Sequence, residues 1–102
     1  MPRVFSYGSL QRSEVQLATF GVQVPGAPDA LLGFELEHVH RDGKQLANVV
    51  RSRRASRVAG MVLEFSDAQL VVADEYERAD NYRRSRVTLE SGLEAWVYAD
   101  AS

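Results

Sequence analysis

Val4-Phe5-Ser6-Tyr7-Gly8-Ser9-Leu10-Gln11 opens the chain with a short apolar run that stops at a glycine. Residues 4–7 are rich in branched and aromatic side chains, the composition of a buried strand, and Gly8-Ser9 is a turn signal. Just beyond, Ser13-Glu14-Val15-Gln16 fits a capping box, with Ser13 as N-cap and Gln16 three positions on. The spacing predicts a helix over residues 14–20, ended by Gly21. We therefore expect Tyr7-Gly8-Ser9-Leu10 to be a ligand-binding turn between a first strand and a short helix. A glycine there lets a ligand approach the main chain and can take a positive φ without a Cβ penalty. Successive N–H groups in such a turn can cradle an anion or an oxyanion, and a following helix N-terminus adds partial positive charge. A tight turn with no ligand has the same spacing.

Outward from this stretch, Pro25-Gly26-Ala27-Pro28 reads as irregular chain. Residues 31–40 read as a strand with Gly33 as a bulge. Asp42-Gly43 is a hairpin turn that leads into a strand over residues 46–51. Residues 58–65 form the next strand, interrupted by Gly60. Ser66-Asp67-Ala68-Gln69 is a second capping box and opens a helix to about residue 77. Strands over residues 82–89 and 93–99 flank a Ser91-Gly92 turn. No strand–helix–strand alternation recurs, which argues against a doubly wound parallel sheet. The expectation is an α+β fold: a small mixed, β-barrel-like sheet of about six strands with two short outer helices, in one domain over residues 1–102.

The chain has 102 residues, 45% of them hydrophobic and 25% charged. These proportions fit a folded globular domain and not a disordered one. No apolar run nears the roughly 20 residues that span a bilayer. Met1-Pro2-Arg3-Val4-Phe5 enters a strand-like run without a signal-peptide core, so a small soluble protein is expected, by default in the cytoplasm. Cysteine is absent, which removes disulfides and thiol chemistry. With a formal charge of -2, no global field attracts nucleic acid. Arg51, Arg53, Arg54 and Arg57 form a local basic stretch, but no aromatic residue is interleaved to stack bases. The bland reading, a solvated loop balanced by nearby acids, is preferred.

Asp74-Glu75-Tyr76-Glu77 is the second place where chemistry could sit. At 100° per residue, Leu70, Val72, Ala73 and Tyr76 share a broad arc expected to face the core. Glu77 falls inside that arc, Asp74 lies at its edge, and Glu75 points away with Val71. A carboxylate aimed inward at a helix C-terminus is opposed by burial and by the helix dipole, so its pKa should rise. A general acid or base working near neutrality needs that rise. A structural pairing of Glu77 with Arg83 or Arg84 fits the same spacing. His38 and His40 share a strand face, but no third metal ligand lies near them by pattern. Trp96 and Tyr98 share a face of the last strand and read as core. Ser9 lacks the flanking glycine of a nucleophile elbow.

Together these features resemble the γ-glutamylcyclotransferase-like family. Residues 4–11 resemble its Y-G-S/T-L signature. Ala73-Asp74-Glu75-Tyr76-Glu77 followed by Tyr82-Arg83-Arg84 resembles its L-D-x-[FY]-E helix and Y-R-R follow-on. Val58-Ala59-Gly60-Met61-Val62-Leu63 and Ala95-Trp96-Val97-Tyr98 resemble two of its strands, so the likeness covers nearly the whole chain. It implies a compact mixed-sheet barrel with the active cavity at its mouth. It also implies intramolecular attack of an α-amine on a γ-glutamyl carbonyl, giving 5-oxoproline and an amine or amino acid. By the resemblance Glu77 is the acid/base, while Tyr7, Gly8, Ser9, Leu10 and Tyr82 bind the substrate. No metal, cofactor, nucleic acid or membrane is implied. Two departures stand out: Ala73 where leucine is usual, and Arg78, a cation beside Glu77, where glycine often follows. The stretch between His40 and Val58 is shorter than in many relatives and rich in arginine. Two other readings stay open: a binding domain that keeps the cavity without turnover, and an interaction module with Glu77 salt-bridged.

Overall fold

The computed structural model describes residues 1–102. Its elements run β1 (Arg3–Ser6), a 3-10 turn (Ser9–Gln11), α1 (Ser13–Phe20), β2 (Gly26–Leu32), β3 (Phe34–Arg41), β4 (Lys44–Arg51), β5 (Arg57–Glu64), α2 (Asp67–Arg78), β6 (Tyr82–Thr88) and β7 (Glu94–Asp100). Five strands form a mixed sheet in the order β2-β5-β1-β7-β6, and β3 and β4 pair only with each other. β1 is central: it runs antiparallel to β5 and parallel to β7. Both its faces are covered, which is why Val4, Phe5 and Ser6 read as a continuous buried run and not as an alternation.

The two faces of β1 feed two cores. Phe5 packs with Val49, Val62, Leu89 and Val97, so this core includes the β3–β4 hairpin. Val4 joins Leu10, Leu63, Phe65, Ala73, Tyr82 and Tyr98 beneath the helices. Phe20 and Phe65 close this second core with ring centroids 5.0 Å apart. Gly60 is required by close approach: a Cβ there would lie 2.3 Å from the Ser6 carbonyl oxygen and 2.8 Å from the Phe5 ring.

The α+β architecture is as expected, with corrections in detail. There are seven strands, and the sheet does not close into a barrel, because the hairpin pairs with neither sheet edge. The 25–28 stretch is not irregular: Gly26, Ala27 and Pro28 start β2, an edge strand where a proline without an N–H is tolerated. Gly33 is not a bulge but the break between β2 and β3, at φ 78°. The Asp42-Gly43 turn does form, with φ of 49° and 76°, and Gly21 caps α1 in the left-handed region.

The two capping boxes have different outcomes. At α2, Ser66 Oγ accepts from the Gln69 N–H at 3.0 Å and Gln69 Oε1 accepts from the Ser66 N–H at 2.8 Å. At α1, the N-cap is Arg12 and no side chain caps the helix. Gln16 is instead buried, donating to the Leu10 carbonyl at 2.9 Å and accepting from the Val24 N–H at 3.0 Å. Those main-chain groups would otherwise be poorly partnered next to the core, and a buried polar group needs a partner. On α2, Val72 lies outside the expected core-facing arc, at 39% exposure, while Ala73 is fully buried.

Candidate active site

β1 ends at Ser6, and the chain turns through Tyr7 and Gly8 into the 3-10 turn. Gly8 sits at φ -128°, ψ -142°, outside the left-handed region. What its missing side chain provides is space: a Cβ there would meet nothing within 4 Å. The Tyr7 and Gly8 N–H groups take no partner within the chain. Leu10 is buried and anchors the turn to the second core.

α2 delivers the carboxylate. Ala73 and Glu77 are one helical turn apart, so the face that buries Ala73 also carries Glu77 inward. The two motifs meet at a cavity of about 380 Å³, within the usual range for small-molecule sites. Tyr7, Gly8, Ser9, Leu10, Glu77 and Tyr82 all line it. The sequence pattern gave no sign that Tyr76, Tyr98 and hairpin residues Gln45, Leu46 and Ala47 line it too.

Glu77 makes no ion pair. Burial, helped by the neighbouring Asp80 charge, pushes its carboxyl up to about 7. The arginines that could have neutralised it are turned elsewhere. Arg84 Nε donates to Asp74 Oδ1 at 2.8 Å and stacks on Trp96 at 4.3 Å, and the charge of Arg78 acts on Asp74. Burial alone would raise the Asp74 pKa. Hydrogen bonds from Arg84 and Tyr98, with the charges of Arg84 and Arg78, outweigh it and hold the carboxyl below the usual range. Two acids three residues apart thus have opposite electrostatics.

Tyr7, Tyr82 and Tyr98 stay neutral. Tyr7 donates to the Tyr98 carbonyl at 2.6 Å, and burial, with Tyr82 and Glu77 nearby, pushes its pKa far above the ordinary range. Burial, then the Glu77 charge, lifts Tyr82 to about 12, and its hydroxyl donates to the Ala47 carbonyl. Tyr98 donates to Asp74 at 2.7 Å. Ser9 Oγ and the Tyr76 hydroxyl share a hydrogen bond of 2.8 Å. The cavity therefore offers one carboxyl that can take and return a proton near neutrality, opposite an open main-chain turn. Arg12 is its single cation, at the rim and paired with Glu14.

Other candidates lie away from this cavity. His38 and His40 are exposed on β3, and no group of three or more His, Cys, Asp or Glu side chains is arranged as metal ligands. In the arginine-rich stretch, Arg51 lies over Phe34 at 5.0 Å and Arg57 pairs with Glu90. No helix is long and apolar enough to cross a membrane.

Comparison with known structures finds the same fold. Two Arabidopsis thaliana proteins solved in solution superpose with TM-scores of 0.82 and 0.79, at 22% and 24% identity. The matches cover 99% and 96% of this chain but 69% and 61% of theirs. A gamma-glutamyl cyclotransferase matches with TM-score 0.77 and 20% identity, over 98% of this chain and 66% of its own. This chain thus spans about two thirds of the length of these structures. No curated protein matches by sequence. The family model described as gamma-glutamyl cyclotransferase, AIG2-like matches residues 4–101, leaving out only the first three residues and the last, and the chain belongs to that family.

Proposed function

We propose that the protein is a cyclotransferase acting on a γ-glutamyl amine or a related small amide, releasing 5-oxoproline and an amine or amino acid. The observation that carries this reading is the unpaired Glu77 carboxyl, raised to about 7, in one cavity with the open Gly8 turn. A base with that acidity suits proton transfer near neutral pH.

The substrate folds so that its α-amine faces its own γ-carbonyl, and the cavity holds that conformer, converting proximity into rate. Glu77 accepts a proton from the α-amine as its nitrogen attacks the carbonyl carbon. The new carbon–nitrogen bond closes the five-membered ring, and the carbonyl oxygen becomes an oxyanion. The unpartnered N–H groups of Tyr7 and Gly8 are the donors proposed to stabilise that charge or to hold the glutamyl portion. Glu77 then returns the proton to the leaving nitrogen as the old amide bond breaks. Tyr82, kept neutral, supports the cavity wall beside Glu77.

The test is 5-oxoproline release from a panel of γ-glutamyl amines and amino acids by wild type and Glu77→Gln. Loss of a general acid/base costs about 10²–10⁴-fold. Equal activity in both proteins would remove Glu77 from the mechanism. No turnover by the wild type on any member would favour a binding domain with the same cavity.

A further inference from the structure

The β3–β4 hairpin closes one side of the cavity through Gln45, Leu46 and Ala47, although it shares no strand ladder with the five-stranded sheet. Near the cavity, its polar ties to the body converge on one region. Arg41, the last residue of β3, donates through Nη1 to the Asp80 carbonyl and through Nη2 to Asp100 Oδ1. Its guanidinium also lies 5.9 Å from the Tyr82 ring centroid. Two lesser ties support it: Tyr82 donates to the Ala47 carbonyl, and the Asp100 N–H donates to Asn48 Oδ1 at 2.9 Å. The Arg41–Asp100 pair is 24% and 13% exposed, so water screens it less than it would a surface pair.

We propose that Arg41 is a positioning residue that fastens the hairpin to the turn after Glu77 and so keeps the hairpin seated as a wall of the cavity. A planar fork suits this task, because it satisfies a carbonyl and a carboxylate at once in fixed geometry. The same guanidinium ties down the main chain of Asp80, the acid whose charge Glu77 feels.

The groups that face Glu77 are Asp80 from the following turn, Tyr7 from the β1 turn, Tyr82 from β6 and Tyr98 from β7, with Arg12 at the rim. The hairpin brings only Gln45, Leu46 and Ala47, none of which titrates. These three can influence Glu77 only by keeping water out, while the Arg41 tie also holds Asp80 in place. Once the hairpin is unfastened, water reaches the carboxylate and Asp80 is free to move off, and both changes favour ionisation. Asp100 already neutralises the Arg41 charge, and the raised Glu77 pKa comes from burial and Asp80.

The experiment is a carboxyl carbon NMR titration of Glu77 in wild type, Arg41→Gln and Arg41→Lys, with Arg57→Gln as a remote ion-pair control. The Glu77 midpoint should fall by about one pH unit in both Arg41 variants and stay fixed in the control. Lysine keeps the charge but not the fork, so a fall in Arg41→Lys separates positioning from electrostatics. If either Arg41 variant fails to fold, Asp100→Asn, which weakens the clamp from its other side, should give the same fall. Midpoints equal to wild type in the folded variants would overturn the proposal. The measurement needs no turnover, although its consequence for catalysis rests on the cyclotransferase reading. A moved midpoint without 5-oxoproline release leaves the clamp standing and removes the reaction.

Discussion

Replacing Glu77 by glutamine should stabilise the protein in alkaline solution, whatever substrate the cavity takes. The folded carboxyl titrates at about 7 against an ordinary 4.5, a gap of about 2.5 pH units at roughly 1.36 kcal/mol each. For a group raised on folding, the favourable contribution is complete below the unfolded value. It is lost as pH rises, fully so once pH passes the folded value. By linkage, the wild type should lose about 0.8 kcal/mol from this group on going from strong acid to pH 5, and about 3.3 kcal/mol by pH 8. Glutamine is nearly isosteric and does not titrate. Its advantage over the wild type should therefore grow by about 2.5 kcal/mol between pH 5 and pH 8.

Urea denaturation of both proteins at the two pH values measures this directly. With a slope of about 1–2 kcal/mol per molar, the separation between midpoints should widen by on the order of 1–2 M. A separation that does not change with pH would refute the burial argument for Glu77. Glutamine that destabilises at pH 8 would refute it more sharply, because it would reveal a cation partner and make Glu77 structural. On the cyclotransferase reading, the substitution that should remove turnover should thus strengthen the fold, the trade expected where a functional group is held at a cost to stability.

Asp80→Asn removes the charge that assists burial at Glu77, so the acid limb of the pH–rate profile should move to lower pH. The move should be smaller than that from exposing Glu77, because burial is the larger cause. Gly60→Ala places a methyl group 2.3 Å from the Ser6 carbonyl and should cost about 1–3 kcal/mol or more in urea unfolding; a cost near zero would mean β1 and β5 separate freely. Ser66→Ala removes the Oγ that caps the Gln69 N–H and should cost about 1 kcal/mol. Ser13→Ala removes no cap and should stay within about 0.5 kcal/mol by the same assay.

What could be read from the sequence was local. The Asp42-Gly43 hairpin, the Gly21 cap and the Ser66–Gln69 box each depend on a few adjacent residues, and all three formed. Glu77 points inward because helical periodicity ties it to Ala73. Several misreadings involve partners that meet only once the chain has folded. Gln16 looked like a cap because its true partners, Leu10 and Val24, are visible only once the chain has folded back. Pro28 looked irregular because nothing in the sequence reveals that β2 is an edge strand. Tyr98 is core, as its strand pattern predicts, but only the parallel pairing of β1 with β7 carries its carbonyl to the Tyr7 hydroxyl. The hairpin wall of the cavity had no local signal at all.

The isolation of Glu77 follows from where each nearby cation is committed. Arg84 is held on one side by Asp74 and on the other by the Trp96 ring. Arg78 follows Glu77 directly, but its neighbouring position on the helix turns it about 100° away, toward the side where Asp74 feels its charge. Arg41 spends its fork on Asp100 and the Asp80 main chain, and Arg12 is occupied by Glu14 at the rim. Arginines from several elements surround this helix, and a pairing with any of them would hold Glu77 ionised far below neutral pH. Asp74 draws two of the cations to its own side, so its lowered pKa and the raised pKa of Glu77 are two results of one arrangement. On this view Arg78 does not disqualify Glu77 as a base: what matters is the direction of a neighbouring charge, and the helix sets that direction.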